Sequence, residues 1–321
     1  DVLATDPYYK PYDESDPLPD EPGPGAHLVG HDLSDRDLSG MDLSGANLEC
    51  ALLCCTNLRG ANLSGAKLGG ARLNKADLSG ADLTGVDLTS ASFERVSARG
   101  ANFRGALLDM TRFSRSDLAE ACFAEAEGLL TSFSACALDR IDGDSLSLKM
   151  ARVDDCTLAA ARINRAKLDN VRLDSCKADG IVLDGADLSG ISFVDCQLND
   201  ASLSRAKGQG PAWFRCGLHR ANFSKVELTA AHFFDVDATD AQFLAAHLPE
   251  ARFDRAILKG ADFARANLFQ ASLRKAVLTK TSFYKANLYD AKLVETAGTR
   301  VSFDQAVMTK TNFQRSELVR I

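Results

Sequence analysis

A five-residue repeat constrains the fold of this chain more than any other feature. Residues 61–87 read ANLSG AKLGG ARLNK ADLSG ADLTG VD, so a small residue, a polar residue, Leu, a second polar residue and often Gly recur. A helix face recurs about every 3.6 residues and a strand face about every 2, and neither period explains this pattern. The chain must turn a corner after each unit, so that every Leu points towards one axis. The repeat therefore predicts a solenoid, in which each unit buries its apolar side by stacking on its neighbours.

The repeat keeps its register from Leu28 to Leu318. The large apolar residue, called here the centre of each unit, falls at every fifth residue, which gives 59 positions. The residue two positions before the centre is usually Ala, because the backbone turns close to the axis there and a larger residue would overpack. The seven small centres are Ala98, Gly128, Gly143, Ala178, Gly208, Ala238 and Gly298. Larger residues stand near several of them, which indicates volume compensation in a tightly filled interior, with Trp213 after Gly208 interpreted in the same way.

The spacing of like residues gives the number of units in one coil. Phe centres recur at 20-residue steps, and so do five cysteines at the small inward position, which are Cys136, Cys156, Cys176, Cys196 and Cys216. Identical residues that recur every 20 positions would lie directly above one another if each coil contained four units. The spacing therefore predicts a coil with four sides. We expect about 15 coils, which at about 4.8 Å each make a rod of about 70 Å.

The repeat units resemble those of a known family. The units ADLSG, ANLSG and ADLTG are similar to the pentapeptide-repeat consensus A-(D/N)-(L/F)-(S/T/R)-G. The resemblance covers residues 26–320 and implies an all-β fold, a right-handed quadrilateral β-helix. We therefore expect a single solenoid over residues 26–321. Residues 1–25 contain six of the eight prolines and carry a net charge of −6, which is typical of an extended linker or tether. Because the sequence begins at Asp1, a missing N-terminal domain is an open hypothesis.

No motif of a catalytic or metal site accompanies the repeat. The cysteine column lacks the C-x₂-C pairs or His partners of a zinc site, so its members are interpreted as small buried hydrophobes. Cys50, Cys54 and Cys55 lie near one corner and are interpreted as free thiols. The histidines are dispersed, and no phosphate-binding loop occurs. We expect a non-enzymatic protein without cofactor or metal, in a reducing cytoplasm, and no apolar run is long enough to cross a membrane.

The charge balance bears on the class of partner. The whole chain carries −7 and residues 1–25 carry −6, so residues 26–321 carry only −1. This balance disfavours nucleic-acid binding, which needs a basic stripe. Some pentapeptide-repeat proteins bind DNA gyrase or topoisomerase IV by imitating duplex DNA, so the resemblance implies a DNA mimic as the alternative function. Against it, the acidic residues on one side of the coils are interleaved with arginines.

Apolar residues in outward positions are candidates for partner binding. Val194, Phe214 and Phe234 each follow a centre by one residue at 20-residue spacing, which predicts a vertical stripe on one face. The candidates on neighbouring faces are Phe269, Tyr284 and Tyr289. Contiguous exposed apolar surface commonly marks a partner site, whereas scattered surface aromatics need no explanation, and both interpretations stay open.

The last coil supplies candidates for oligomerisation. A β-solenoid exposes strand edges at an uncovered end, which predicts a homodimer through this coil. The candidate residues are Phe303, Met308, Phe313 and Leu318. We expect a protein–protein interaction scaffold from bacterial cytoplasm, with a protein partner that the sequence does not identify. The segment YYKPYDESDPLP followed by the repeat resembles the join in type VI secretion adaptor proteins that carry a pentapeptide tail, which implies an adaptor role.

Overall fold

The structure, a computed structural model, describes residues 22–319. The chain forms two compact units that meet in sequence between Thr157 and Leu158. Unit 1 denotes residues 22–157 below and unit 2 denotes residues 158–319. The predicted single solenoid stays a prediction, and most of the predicted linker, residues 1–21, lies outside the described residues. In the part of the chain that the structure describes, no helix is long and apolar enough to cross a membrane.

Each unit is a stack of coils in which every residue meets the residue 20 positions later. In unit 1 the Leu28 N–H donates to the Asn47 carbonyl at 2.7 Å, and the Asn47 N–H donates to the Ala26 carbonyl at 2.8 Å. Isolated parallel bridges such as Asp262↔Ser282 repeat this pairing through unit 2. A period of 20 residues means four five-residue units per coil. The predicted all-β right-handed quadrilateral β-helix is thereby confirmed as the fold class.

Short parallel strands form where three successive residues pair with the next coil. The strands of unit 1 are β1 (Ser92–Glu94), β2 (Arg112–Ser114), β3 (Glu127–Leu129), β4 (Ser132–Ser134), β5 (Ser147–Lys149) and β6 (Arg152–Asp154). The strands of unit 2 are β7 (Lys167–Asp169), β8 (Arg172–Asp174), β9 (Ser192–Val194), β10 (Lys207–Gln209), β11 (Ala212–Phe214), β12 (Glu227–Thr229), β13 (His232–Phe234), β14 (Ala297–Thr299) and β15 (Glu317–Val319). Unit 1 stacks β1-β2-β4-β6 and β3-β5, and unit 2 stacks β8-β9-β11-β13, β10-β12 and β14-β15.

The centres and the small inward residues form the core of each unit. In unit 2 Phe233 is fully buried, and its ring stacks on Trp213 and on Phe253, at 4.6 Å between centroids in both cases. Rings on adjacent sides of the coil meet edge to face, as Phe233 and Phe243 do at 5.7 Å. Both arrangements are the favoured geometries of aromatic pairs. Stacked aromatic rings therefore add to the burial energy that holds successive coils together.

Threonines replace Ala at the inward position without leaving a polar group unpaired. The Thr111 hydroxyl donates to the Leu88 carbonyl at 2.7 Å in unit 1, and the Thr281 hydroxyl donates to the Leu258 carbonyl at 2.7 Å in unit 2. An unpaired buried hydroxyl would cost about 1–3 kcal/mol. The small polar residue is tolerated because the preceding coil presents a carbonyl at this point.

Every corner of the described coils lies two residues after a centre and has a positive φ. Gly often occupies this corner position, as at Gly40 with φ 65°, but Lys75 and Arg255 adopt the same conformation, each with φ 61°. The left-handed region costs a non-glycine residue about 1–2 kcal/mol, which the stacked coil offsets with a corner N–H bond to the next coil. Corner side chains point outwards, so the fold leaves their chemistry free to vary.

Candidate protein-binding surface

Three parallel strands of unit 2 bring the predicted stripe together. Phe214 in β11 is paired in register with Val194 in β9 and with Phe234 in β13. The Phe214 and Phe234 rings lie 6.4 Å apart between centroids, at 58°. All three side chains are half-buried rather than fully exposed. We call Val194, Phe214 and Phe234 the aromatic ladder.

Arg–Asp ion pairs lie at the corner that directly follows the residues of the aromatic ladder. The Arg215 guanidinium donates to both oxygens of Asp195, at 2.7 and 2.6 Å. Hydrogen bonds from Arg215, together with its charge, hold the pKa of Asp195 below its ordinary value. Arg255 pairs with Asp235 in the same way, and its guanidinium carbon lies 4.4 Å from the centroid of the Phe234 ring. The rings are therefore framed by fixed charges, as at the polar rim of a protein interface.

A polar groove of about 650 Å³ lies on the same face of unit 2, starting at His232 of β13. Its walls include Arg252 and Asp254 from the next coil, with Arg274 and Lys292 beyond them. Burial, and then the charge of Arg252, lower the pKa of His232. The surface thus combines apolar rings with convergent polar groups of both signs. Such a mixture suits a protein partner.

The other three candidates, Phe269, Tyr284 and Tyr289, also make defined ring contacts. Phe269 and Tyr289 stack with their centroids 5.7 Å apart and their planes within 8°. The Lys310 ammonium lies 5.4 Å from the centroid of the Tyr289 ring, and that of Lys285 lies 5.0 Å from the centroid of Tyr284. Each of these three rings is half-buried. A role in partner binding stays a prediction for all six candidates.

Sequence reasoning missed an apolar corner in unit 1. Met110, Leu130 and Met150 are 45%, 49% and 50% exposed, and they succeed one another at 20-residue spacing. Leu107 and Leu129 add exposed apolar surface beside them. The sequence contains a signal for this patch, because three apolar residues occupy one corner position in successive coils. The prediction missed the patch because it rested on the position directly after each centre.

The predicted oligomerisation residues occupy the last described coils. Phe303 is half-buried, stacks on Phe283 at 5.2 Å and meets Phe313 edge to face at 5.7 Å. Met308 and Phe313 are 40% and 36% exposed, and Leu318 pairs in register with Gly298. Dimerisation through these residues stays a prediction.

The cysteines separate into buried and accessible thiols. The five inward cysteines are at most 2% exposed, Cys50, Cys54 and Cys122 are half-buried, and Cys55 is exposed. In unit 2 the Cys196 thiol lies 3.2 Å from the Val194 carbonyl and 3.6 Å from the Leu173 carbonyl. The Cys216 thiol lies 3.4 Å from the Phe214 carbonyl and 3.5 Å from the Phe193 carbonyl, and the longer contact in each pair is the one that the inward threonines make. The neighbouring Cys196 sulfur, together with burial, raises the pKa of Cys216. These contacts agree with cysteine as a small core residue.

Thiol labelling tests this assignment. With Ellman's reagent on the native protein, we expect Cys55 to react first and the half-buried thiols more slowly. The five inward cysteines should react only after unfolding, because reaction requires an accessible thiolate. Peptide mapping after partial labelling identifies the order. Equal reaction of all nine thiols under native conditions would contradict the assignment.

Comparisons with known proteins agree with the coil geometry. The sequence profile described as pentapeptide repeats matches in 8 copies, over residues 26–68, 56–95, 99–127, 166–205, 239–274 and 261–296. No curated protein sequence matches the chain. Among residues 22–319, no group of three or more His, Cys, Asp or Glu side chains is arranged to hold a metal ion.

Three solved structures illustrate the similarity. QnrB1, a plasmid-mediated fluoroquinolone resistance protein, is 15% identical over 60% of this chain and 89% of its own, with a TM-score of 0.36. HetL, from the cyanobacterium Nostoc sp. strain PCC 7120, is 24% identical over 80% of this chain and 89% of its own, with a TM-score of 0.24. A pentapeptide repeat protein from the Arabidopsis thaliana thylakoid lumen is 37% identical over 31% of this chain and 69% of its own, with a TM-score of 0.30. The profile match covers more than half of the residues, and the chain therefore belongs to the pentapeptide-repeat family.

Proposed function

We propose that this protein is a non-enzymatic scaffold that binds a protein partner through the aromatic ladder of unit 2. The observation that carries the proposal is the in-register stacking of Val194, Phe214 and Phe234 on one face. Aromatic anchors framed by Arg–Asp pairs and joined to a polar groove are the composition of a protein interface. The regular coils hold these side chains in fixed positions, so little conformational entropy is lost on binding.

The alternative is a DNA-mimicking binder of DNA gyrase or topoisomerase IV. A mimic needs an unbroken acidic stripe, whereas Asp195, Asp200 and Asp235 of unit 2 each pair with an arginine one coil later. Alternating charges along a column cancel the field that imitates a phosphate backbone. This observation favours the scaffold over the mimic.

A bacterial adaptor role, with type VI secretion as the setting, is the finer form of the proposal. The segment YYKPYDESDPLP before the repeat supports it by its resemblance to the join in such adaptors. Nine free cysteines suit the reducing bacterial cytoplasm in which we place the protein. A homodimer through Phe303, Met308, Phe313 and Leu318 belongs to the same proposal, and light scattering that shows a monomer at high concentration would count against it.

Affinity capture from bacterial lysate, read by mass spectrometry, tests the ladder. A Phe214→Asp, Phe234→Asp double variant should bind the partner at least about tenfold more weakly, because two charges replace the apolar anchors. A matched Ile257→Asp, Val277→Asp variant carries the same charge change at two stacked, exposed apolar residues on another side of the coil and should retain the partner. The partner from the native capture is then purified, and its Kd is measured against all three proteins.

The outcomes separate the two functions. A protein bound by the native chain and the matched control, but lost by the double variant, supports the scaffold and its site. Gyrase or topoisomerase IV bound equally by all three proteins would overturn the ladder and favour the mimic.

A further inference from the structure

One corner of unit 2 carries a row of cations. Arg205, Lys225, Arg265 and Lys285 all occupy the corner that follows one side of the coil, and Ala245 interrupts the row. All four cationic side chains are exposed. We call these four residues the basic corner. Residues 158–321 contain 23 Lys and Arg and 18 Asp and Glu, so this half of the chain is basic. The whole chain, by contrast, carries a net charge of −7.

Backbone hydrogen bonds stack these corners directly above one another. The Arg205 N–H donates to the Ser224 carbonyl at 3.1 Å, and the Arg265 N–H donates to the Tyr284 carbonyl at 2.7 Å. The four cationic residues share one backbone conformation, with φ between 57° and 59°. Neighbouring coils are about 4.8 Å apart, so Arg205 and Lys285 lie about 19 Å apart along the stack.

The cations of the basic corner have no acidic partners, unlike three arginines at other corners of unit 2. Arg215, Arg220 and Arg255 each pair with an aspartate one coil earlier in their own columns. Within residues 22–319 none of the four basic-corner cations forms an ion pair. Lys285 instead lies over the ring of Tyr284. The positive charge of this row is therefore left for a ligand outside the chain.

We propose that the basic corner binds an extended acidic polypeptide segment of a partner protein. A strand advances about 3.3 Å per residue, so about six residues of an extended segment span the row. Alternate side chains of such a segment lie about 6.6 Å apart and reach successive cations. Tyr284, which lies directly before Lys285, adds ring surface for apolar side chains of that segment.

The width of the row favours a polypeptide over a nucleic acid. The row is one corner wide. On the next side of the coil, Asp187, Lys207 and Glu227 follow one another in a single column, so two carboxylates lie beside the row. A phosphate backbone would meet the two carboxylates with like charge. A polypeptide can place neutral or basic side chains opposite them. This surface is separate from the aromatic ladder, so either site can fail without the other.

Fluorescence anisotropy tests the proposal on the full chain. The probe is a fluorescein-labelled 20-residue peptide of Glu with Tyr at every fifth position. An Arg205→Gln, Lys225→Gln, Arg265→Gln, Lys285→Gln variant should bind it at least about tenfold more weakly, since four exposed contacts are lost together. A matched variant with Arg172, Lys177, Arg220 and Lys259 changed to Gln has the same net charge and should bind like the native chain.

Three results would overturn the proposal. The first is no binding of the peptide by the native chain at low ionic strength. The second is equal weakening in both variants, which would show that net charge rather than the basic corner attracts the probe. The third is tighter binding of labelled single-stranded dT20 than of the peptide, which would assign the corner to nucleic acid. Circular dichroism of both variants confirms that the fold is intact, as expected for exposed positions.

Discussion

Replacing Phe233 with Ala is expected to lower the free energy of unfolding by about 3–5 kcal/mol. The Phe233 ring is fully buried and is stacked between Trp213 and Phe253, with two further rings against its edges. Removing it opens a cavity that the fixed coil spacing cannot close. Urea unfolding followed by the fluorescence of Trp213, the only tryptophan, measures the loss beside the substituted site.

The adjacent residue provides the matched control for this prediction. Phe234→Ala removes an identical side chain, but Phe234 is half-buried and its ring is covered on one side by Arg255. We expect a loss of about 1 kcal/mol, from partial burial and one cation–π contact. Equal losses at the two positions would show that side-chain burial does not distinguish the interior from the aromatic ladder.

Replacing Gly208 with Ala is expected to cost about 3 kcal/mol. Its φ is 156°, a conformation that L residues rarely adopt. An added Cβ would lie 2.8 Å from the Leu188 carbonyl carbon and 2.9 Å from the Ser189 nitrogen. Both atoms belong to the backbone of the preceding coil, so neither can move without disturbing the stack. Thermal unfolding by circular dichroism measures the loss.

Two other glycines separate strain from steric overlap. Gly210→Ala places a Cβ in open space at φ 66°, so only the left-handed penalty of about 1 kcal/mol applies. Gly298→Ala would bring its Cβ to 2.8 Å from the Leu278 carbonyl carbon without a positive φ, and should fall between the other two. A Gly210 variant as unstable as the Gly208 variant would contradict the steric argument.

These glycines show where the volume interpretation was incomplete. The sequence suggested that Trp213 fills space that Gly208 leaves in the interior. Trp213 is indeed buried, but it stacks on Phe193 and Phe233 of its own column. Gly208 is small because the preceding coil approaches its α-carbon. Sequence spacing identifies which residues share a column, but it does not measure how closely two backbones approach.

The sequence by itself determined the fold of each unit and the order of its columns. A strict five-residue period leaves the chain one way to bury every centre, and like residues at 20-residue spacing fix four sides. Positions such as Phe214 and Phe234 could therefore be placed on one face from their spacing alone. Only the tertiary structure decided which surface charges are neutralised. Arg215 and Arg255 meet aspartates in their own columns, while Arg205 and Arg265 do not, and ion pairing depends on distances of a few ångströms between side chains of different coils.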